Sequence, residues 1–357
     1  MSAVPTPAPA SVAPARVSAG AAPTLAAVVV TYNRLAQLQI TLPRLLAEGI
    51  ARVVVVDNAS TDATATWLAT QGRPGLTVLR LPENRGGAGG FEAGLAHLLG
   101  RDGRAPGAPE APDWTVLLDD DARPLPGAIA AFHQAAAGLD PDHGPVGVIA
   151  AAVLMPDGRV AEMNRPLLNP FWSLGLAWRT FRQGRSAFHL TDAALAPDAP
   201  VRLVDGASFV GFFLARGAPA RIGLPEGGLF IYGDDVIYSL KLRRAGLAIR
   251  LHPAIRFEHD CGTLGTGLAT RPLWKVYYLC RNGIRMTRPA AGPLLRPLAL
   301  AWYLIAWTRK ARHYGPAERP VYRRLMWLGI RDGLTGRLGR SAAAHRIAAL
   351  AETTAKD

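Results

Sequence analysis

Ala26-Ala27-Val28-Val29-Val30, closing in Thr31-Tyr32-Asn33-Arg34, is the run from which the rest of the chain reads. Its β-branched core predicts a buried strand, and no glycine follows it. A helical pattern comes next, with Leu35, Leu38, Leu42, Leu45 and Leu46 on one side and Gly49 at its close. Val53 to Val56 predicts a second strand ending at Asp57-Asn58, with Ser60 and Asp62 placed to cap the following helix. Leu76 to Leu81 predicts a third strand, followed by a glycine-rich loop and another helical stretch. Trp114 to Leu118 predicts a fourth, stopped by three aspartates. Strict alternation of strand and helix argues for a parallel sheet with helices on both faces. Ligands of such sheets bind beyond the carboxyl ends of the strands. Here those ends carry Thr31, Asp57, Asn84 to Gly90, and Asp119 to Asp121.

Each strand end has its own chemistry. Side chains two apart on an extended chain share a face, so Asp119 and Asp121 can aim at one cation. Oxygen ligands suit Mg²⁺ or Mn²⁺ held between carboxylates and substrate phosphates. A plain acidic turn would leave three adjacent carboxylates repelling one another. Asn84-Arg85-Gly86-Gly87-Ala88-Gly89-Gly90 lies between a strand and a helix, where backbone amides can approach an anion. A dinucleotide-binding fold would place such a loop after the first strand. Gly233-Asp234-Asp235 opens an expected amphipathic helix ending in Arg243, Arg244 and Gly246. One acid satisfies a helix start, so the pair leaves a carboxylate for general-base work. His259, in Phe257-Glu258-His259-Asp260, reads either as a structural histidine or as a ligand.

A length of 357 residues suits one large domain with an appendage, and 49% hydrophobic content excludes a disordered chain. Cys261 and Cys280 are too few for a disulfide framework or a zinc site, which suits a reducing cytosol. Fifteen Lys and Arg lie between Arg271 and Arg340 against two acids, Glu318 and Asp332, so the whole formal excess of +13 sits there. Such a cluster meets a membrane surface or nucleic acid, or forms a solvated helical face. The longest apolar run, Leu298 to Trp307, falls well short of the ~20 residues of a membrane span. The first 24 residues read as a flexible Ala/Pro-rich tail rather than a signal peptide.

In this order, from about Leu25 to His259, the motifs resemble the family 2 glycosyltransferases. The resemblance implies a GT-A fold: an α/β, mostly parallel sheet flanked by helices over 25–270, with a basic helical annex over 271–357. Gly86-Gly87-Ala88-Gly89-Gly90-Phe91 with the aspartate triplet is similar to bacterial galactofuranosyltransferases, and Ile231-Tyr232-Gly233-Asp234-Asp235 to bacterial rhamnosyltransferases. An inverting transfer from a UDP- or dTDP-sugar to a glycan or lipid-linked acceptor is implied. Asp57 or Asn58, with Thr31, would then hold the donor's base or ribose, and many members have Asp-Asp or Asp-Gly at this point. Asn84, Arg85, Gly86, Gly87 and Asp120 would line the donor site. Asp119 and Asp121, joined by His259, would hold Mn²⁺ or Mg²⁺, and Asp235, second of its pair with Asp234, would be the base. Asp205-Gly206-Ala207-Ser208 resembles the turn under the donor sugar.

Phe171, Trp172, Trp178 and Phe181 read equally as sugar or lipid contacts and as core. Trp302, Tyr303, Trp307 and Trp327, interleaved with Arg309, Lys310, Arg312, Arg323 and Arg324, form an interfacial pattern. Peripheral attachment to the anionic inner face of the cell membrane is expected, and no nucleic acid. Two rivals remain. A nucleotidyltransferase would place a basic phosphate loop early, and a non-enzymatic basic protein would leave the strand-end polar set without a role.

Overall fold

The computed structural model describes residues 22–101, 110–140, 144–261 and 269–354, so most of the expected tail over 1–24 lies outside the described residues. Strands β1 (Leu25–Thr31), β2 (Arg52–Asp57), β3 (Leu76–Arg80) and β4 (Trp114–Asp119) pair in parallel, in the order β3-β2-β1-β4. Helices α1 (Leu35–Ala47), α2 (Thr64–Ala69) and α3 (Gly86–Leu98) connect them. The expected alternation therefore holds through the first four strands.

Beyond β4 the sheet becomes mixed. β8 (Phe212–Ala215) lies antiparallel between β4 and β6 (Val146–Leu154), and β9 (Ala248–His259) runs parallel to β6. Two short strands, β5 (Ala122–Pro124) and β7 (Arg202–Val204), pair antiparallel with β9. Successive strand residues serve opposite faces: Val29 and Val55 join Leu38, Leu42 and Leu45 of α1, while Val28 and Val30 join Phe91 and Leu95 of α3. Burial on both faces explains why these strands read as unbroken apolar runs.

Two local readings change. The glycine run is no loop, because α3 begins at Gly86. A Cβ at Gly90 or Gly94 would stand 2.4 Å from Val30 or Val28, so these glycines let the helix lie close on the sheet. Ser60 caps nothing: its hydroxyl accepts from the Asn33 N–H at 3.0 Å, and Asp62 alone accepts from Thr64 at 3.0 Å.

The C-terminal region is α8 (Lys275–Lys310), α9 (Glu318–Thr335) and α10 (Ala342–Thr354). α8 breaks at Gly292, φ 67°, between Pro289 and Pro293. These helices share a core of Tyr277, Tyr278, Ile284, Trp307, Tyr322 and Leu325. Trp307 is buried and Tyr303 stacks on it, so of the four expected interfacial aromatics only Trp302 and Trp327 are exposed. Among the described residues, no helix is long and apolar enough to cross a membrane.

Candidate active site

The aspartate triplet is not one extended strand. β4 ends at Asp119, and Asp120-Asp121 turn into β5, whose Ala122 pairs with His259 at the end of β9. The turn and this pairing gather Asp119, Asp121 and His259, whose nearest ligand atoms all lie within 4.8 Å of one another. His259 Nε2 is 3.1 Å from Asp121 Oδ1, and Nδ1 is 2.7 Å from Asn164 Oδ1. The Asn164 amide in turn donates to the Ser208 hydroxyl at 2.9 Å. Burial alone would lower the His259 pKa, but the Asp121 carboxylate outweighs it and lifts the value to about 10.

Arg34 supplies the second positive charge. It pairs closely with Asp121 Oδ2 and lies 3.6 Å from Asp120 Oδ1. Burial opposes ionisation of Asp121, yet His259 and Arg34 hold its carboxyl below the usual range. Asp120 accepts from the Thr31 hydroxyl at 2.7 Å. Burial, with Asp121's charge adding, pushes Asp119 and Asp120 up to about 7. The repulsion expected within the triplet is thus met partly by the protein itself. Arg34 was legible as a cation at a loaded strand end, although no role was assigned to it. Asn164 gave no signal, because only the tertiary fold brings it to His259.

The neighbouring strand ends place Thr31 opposite Asp57 and Val30 opposite Asp119. Asp57 is fully buried: Oδ1 accepts from the Ser60 N–H at 2.8 Å, whereas Oδ2 has no hydrogen bond, with Arg80 Nε 3.5 Å away. Asn58 is committed to backbone at both ends, donating to the Gly86 carbonyl and accepting from the Arg85 N–H, each at 2.9 Å. Asn84 accepts from the Gly86 N–H at 2.8 Å, and Arg85 pairs with Glu92 at 2.5 Å. Gly86 has φ +70°, and a Cβ there would meet the Phe230 carbonyl at 2.0 Å, whereas Gly87 faces open space.

Asp234 and Asp235 open α7 (Asp234–Arg244) after Gly233, φ +74°. α7 is not one-faced as expected: Ile237, Tyr238, Leu240 and Leu242 are all buried, with β9 and α8 both packed against the helix. Burial first, then the charge of Asp235 and that of Asp119, holds Asp234 well above the carboxylate range. Asp234 therefore feels the charge of Asp119. Burial raises Asp235 to about 6. The loop leading in is held from α8. Arg281, fully buried against the Tyr277 and Tyr278 rings, donates to the Leu229 carbonyl at 2.6 Å. The Asn282 amide donates to the carbonyls of Leu229, Ile231 and Tyr232 at 3.0, 2.7 and 2.7 Å. Neither residue was singled out from sequence.

Asp205 is occupied by the Asn169 N–H at 2.8 Å and Arg243 at 3.0 Å, and its neighbour Ser208 is the one that reaches the cluster, through Asn164. Trp172, Trp178 and Phe181 are exposed and Phe171 is half-buried, so of the two open readings core does not hold for the three exposed rings.

Asn164→Ala should weaken cation binding by about 10–100-fold, because the partner that orients a ligating imidazole sets its ring and tautomer. Titration with Mn²⁺ followed by electron paramagnetic resonance checks it, and affinity equal to the parent protein's would remove Asn164 from the site.

Residues 26–159 match the family model described as glycosyl transferase family 2. Galactofuranosyltransferase GlfT1 of Mycobacterium tuberculosis strain H37Rv is 29% identical over 332 residues, which is 88% of this chain and 98% of that protein. The GlfT1 of Mycolicibacterium smegmatis is 28% identical over 295 residues, 78% of this chain and 89% of that one. Among solved structures, the Pyrobaculum calidifontis mannosyltransferase PcManGT, in complex with GDP-Man and Mn²⁺, gives a TM-score of 0.47 at 16% identity, covering 89% of this chain and 88% of that one. With Asp119, Asp121 and His259 gathered on its sheet, the chain matches glycosyl transferase family 2 over residues 26–159 and is a nucleotide-sugar glycosyltransferase.

Proposed function

We propose that the chain transfers galactofuranose, with inversion, from a UDP- or dTDP-linked donor to a glycan or lipid-linked acceptor in cell-wall polysaccharide synthesis. The observation that carries this reading is the Asp119–Asp121–His259 cluster, with the charge of Asp119 reaching Asp234, in a chain related to galactofuranosyltransferases along most of its length. Once His259 gives up the proton it shares with Asp121, two carboxylates and one neutral imidazole fit a divalent cation, and the imidazole favours Mn²⁺ over Mg²⁺. When bound, the cation neutralises charge developing on the departing diphosphate. Asp235 takes the acceptor hydroxyl's proton as that oxygen bonds to the anomeric carbon. The anomeric bond to the phosphate oxygen breaks, and the nucleoside diphosphate leaves with the electron pair. Burial and the charges of Asp235 and Asp119 raise Asp234, whereas Asp235 is raised only to about 6, which favours Asp235 as the ionised member of the pair.

Between Asp57 and Asn58, Asp57 is the residue assigned to the nucleobase. Its Oδ2 is a buried acceptor without a hydrogen bond, whereas Asn58 has both ends engaged. A carboxylate there suits a base that presents a ring N–H, as uracil and thymine do. Thr31, Asn84, Arg85, Gly86, Gly87 and Asp120 complete the proposed donor side; for Arg85 this requires release from Glu92. The catalytic unit is assigned to 25–270. The basic helices beyond it, which expose Trp302 and Trp327, are assigned to attachment on the anionic inner face of the cell membrane.

Thermal shift across UDP-, dTDP- and GDP-sugars, with Mn²⁺ or Mg²⁺ present, tests the site, since a bound donor raises apparent stability by mass action. Asp119→Ala and Asp121→Ala should lose the cation-dependent part of that shift and keep the fold. Undiminished donor affinity in both variants, at matched cation concentration, would overturn the assignment.

A further inference from the structure

Helix α5 (Leu174–Gln183) stands apart from the core. None of its residues is buried, and its principal contacts are the short turns on either side, Pro170–Trp172 and Gly184–Ala187. A helix of this length is marginal in water by itself. Ser173 caps it, accepting from the Leu176 N–H at 3.3 Å. Leu174, Trp178 and Phe181, spaced i, i+4, i+7, form one face and are 91%, 61% and 68% exposed. Trp178 and Phe181 stack at 6.0 Å, with the Arg182 guanidinium 6.0 Å from the Trp178 ring. No acid occurs between Glu162 and Asp192, whereas the exposed Arg179, Arg182 and Arg185 do; Arg165, also in this stretch, is ion-paired with Glu162 and Asp192.

We infer that α5 is a membrane-contact helix that lays its Leu174–Trp178–Phe181 face into the headgroup boundary of an anionic bilayer. The inference rests on the peripheral attachment proposed above and adds to it a contact element outside the C-terminal helices. A continuous apolar face flanked by arginines, without one acid, complements negatively charged lipid. Ring-bearing side chains with polar or cationic neighbours suit that boundary. A soluble acceptor sugar would not account for Leu174, the most exposed member of the face. The placement also serves the reaction. Asn164, which contacts His259, is joined to the Ser173 cap by a run that spans at most about 30 Å of chain, so an embedded α5 keeps the cluster near lipid-linked substrate.

The experiment uses the full chain with vesicles of phosphatidylcholine, alone or with phosphatidylglycerol. Three proteins are floated: the parent, Leu174→Ser/Trp178→Ser/Phe181→Ser, and Arg309→Gln/Arg312→Gln/Arg323→Gln/Arg324→Gln. The α5 variant should lose binding to anionic vesicles by about tenfold or more while keeping its Mn²⁺-dependent thermal shift. Brominated lipid should quench tryptophan fluorescence in the parent and quench it less in Trp178→Phe, which still floats. The inference fails if the α5 variant floats like the parent, even where the arginine variant does not; that second result would leave attachment through the C-terminal helices standing. It fails equally if the α5 variant floats normally but its KM for acceptor rises, which would make the face a sugar platform. Should the α5 variant lose its thermal shift, Trp178→Phe decides, and unchanged quenching overturns the inference.

Discussion

Asp235→Asn is expected to lower turnover by about 10²–10⁴-fold, the contribution of a positioned base, while donor and cation still bind. The amide keeps the shape of the carboxylate and removes its capacity to accept the acceptor's proton. The accompanying pH dependence has a defined sign. Burial lifts Asp235 to about 6, so in the parent enzyme kcat should fall as pH drops through about 6 and level off above it. Asp234 is raised for two added reasons besides burial, the charges of Asp235 and Asp119. Steady-state rates with a fixed acceptor, measured from pH 5 to 8 on both Asn variants, check the assignment. An active Asp235→Asn beside a dead Asp234→Asn would reverse the two roles.

What the sequence made legible was local. The strands β1, β2 and β4 follow from short apolar runs that stop at the polar residues Thr31, Asp57 and Asp119, and that signal needs no tertiary information. The later half of the sheet was not legible, because β8 inserts antiparallel between β4 and β6 and no periodicity encodes a neighbour so distant in sequence. The glycine run misread for a related reason. Gly90 and Gly94 answer to Val30 and Val28 across a helix–sheet contact, and an isolated reading sees only weak helix formers. At the site, Asp119, Asp121 and His259 were named for their chemistry, but on the wrong geometry: a turn and a β5–β9 pairing bring them together, not an extended strand. Asn164 and Asn282 are polar residues without a motif, and each acquires a role only through a partner far along the chain. Among the aromatics, Trp307, expected at an interface, lies in the α8–α9 core, while Trp178, open between surface contact and core, is exposed on α5.

Asn282→Ala is expected to lower kcat by about 10²-fold with little change in donor KM or in Mn²⁺ affinity, because a small misplacement far from the chemistry costs that much. The reasoning begins with backbone conformation. Phe230 and Tyr232 have φ of 66° and 68°, values that side-chain-bearing residues hold only where the surroundings impose them. Gly233, φ 74°, completes the turn, and the space a Cβ would take there lies 3.0 Å from Met286 of α8. One amide group, that of Asn282, holds the Leu229, Ile231 and Tyr232 carbonyls, and each buried acceptor left unpaired costs about 1–3 kcal/mol. Arg281 still holds the Leu229 carbonyl, so the loop in the variant stays docked at one end and relaxes at the end that delivers Asp234-Asp235. A residue that merely stabilised the fold would reduce the active fraction and leave the per-site rate alone. The check is therefore a single-turnover rate at saturating donor and low temperature, normalised to Mn²⁺-binding sites. A normalised rate equal to that of the parent would remove Asn282 from the positioning of the base. A lowered rate would make α8 part of the catalytic apparatus, and a chain cut near Arg271 would then lose turnover even where it still bound donor.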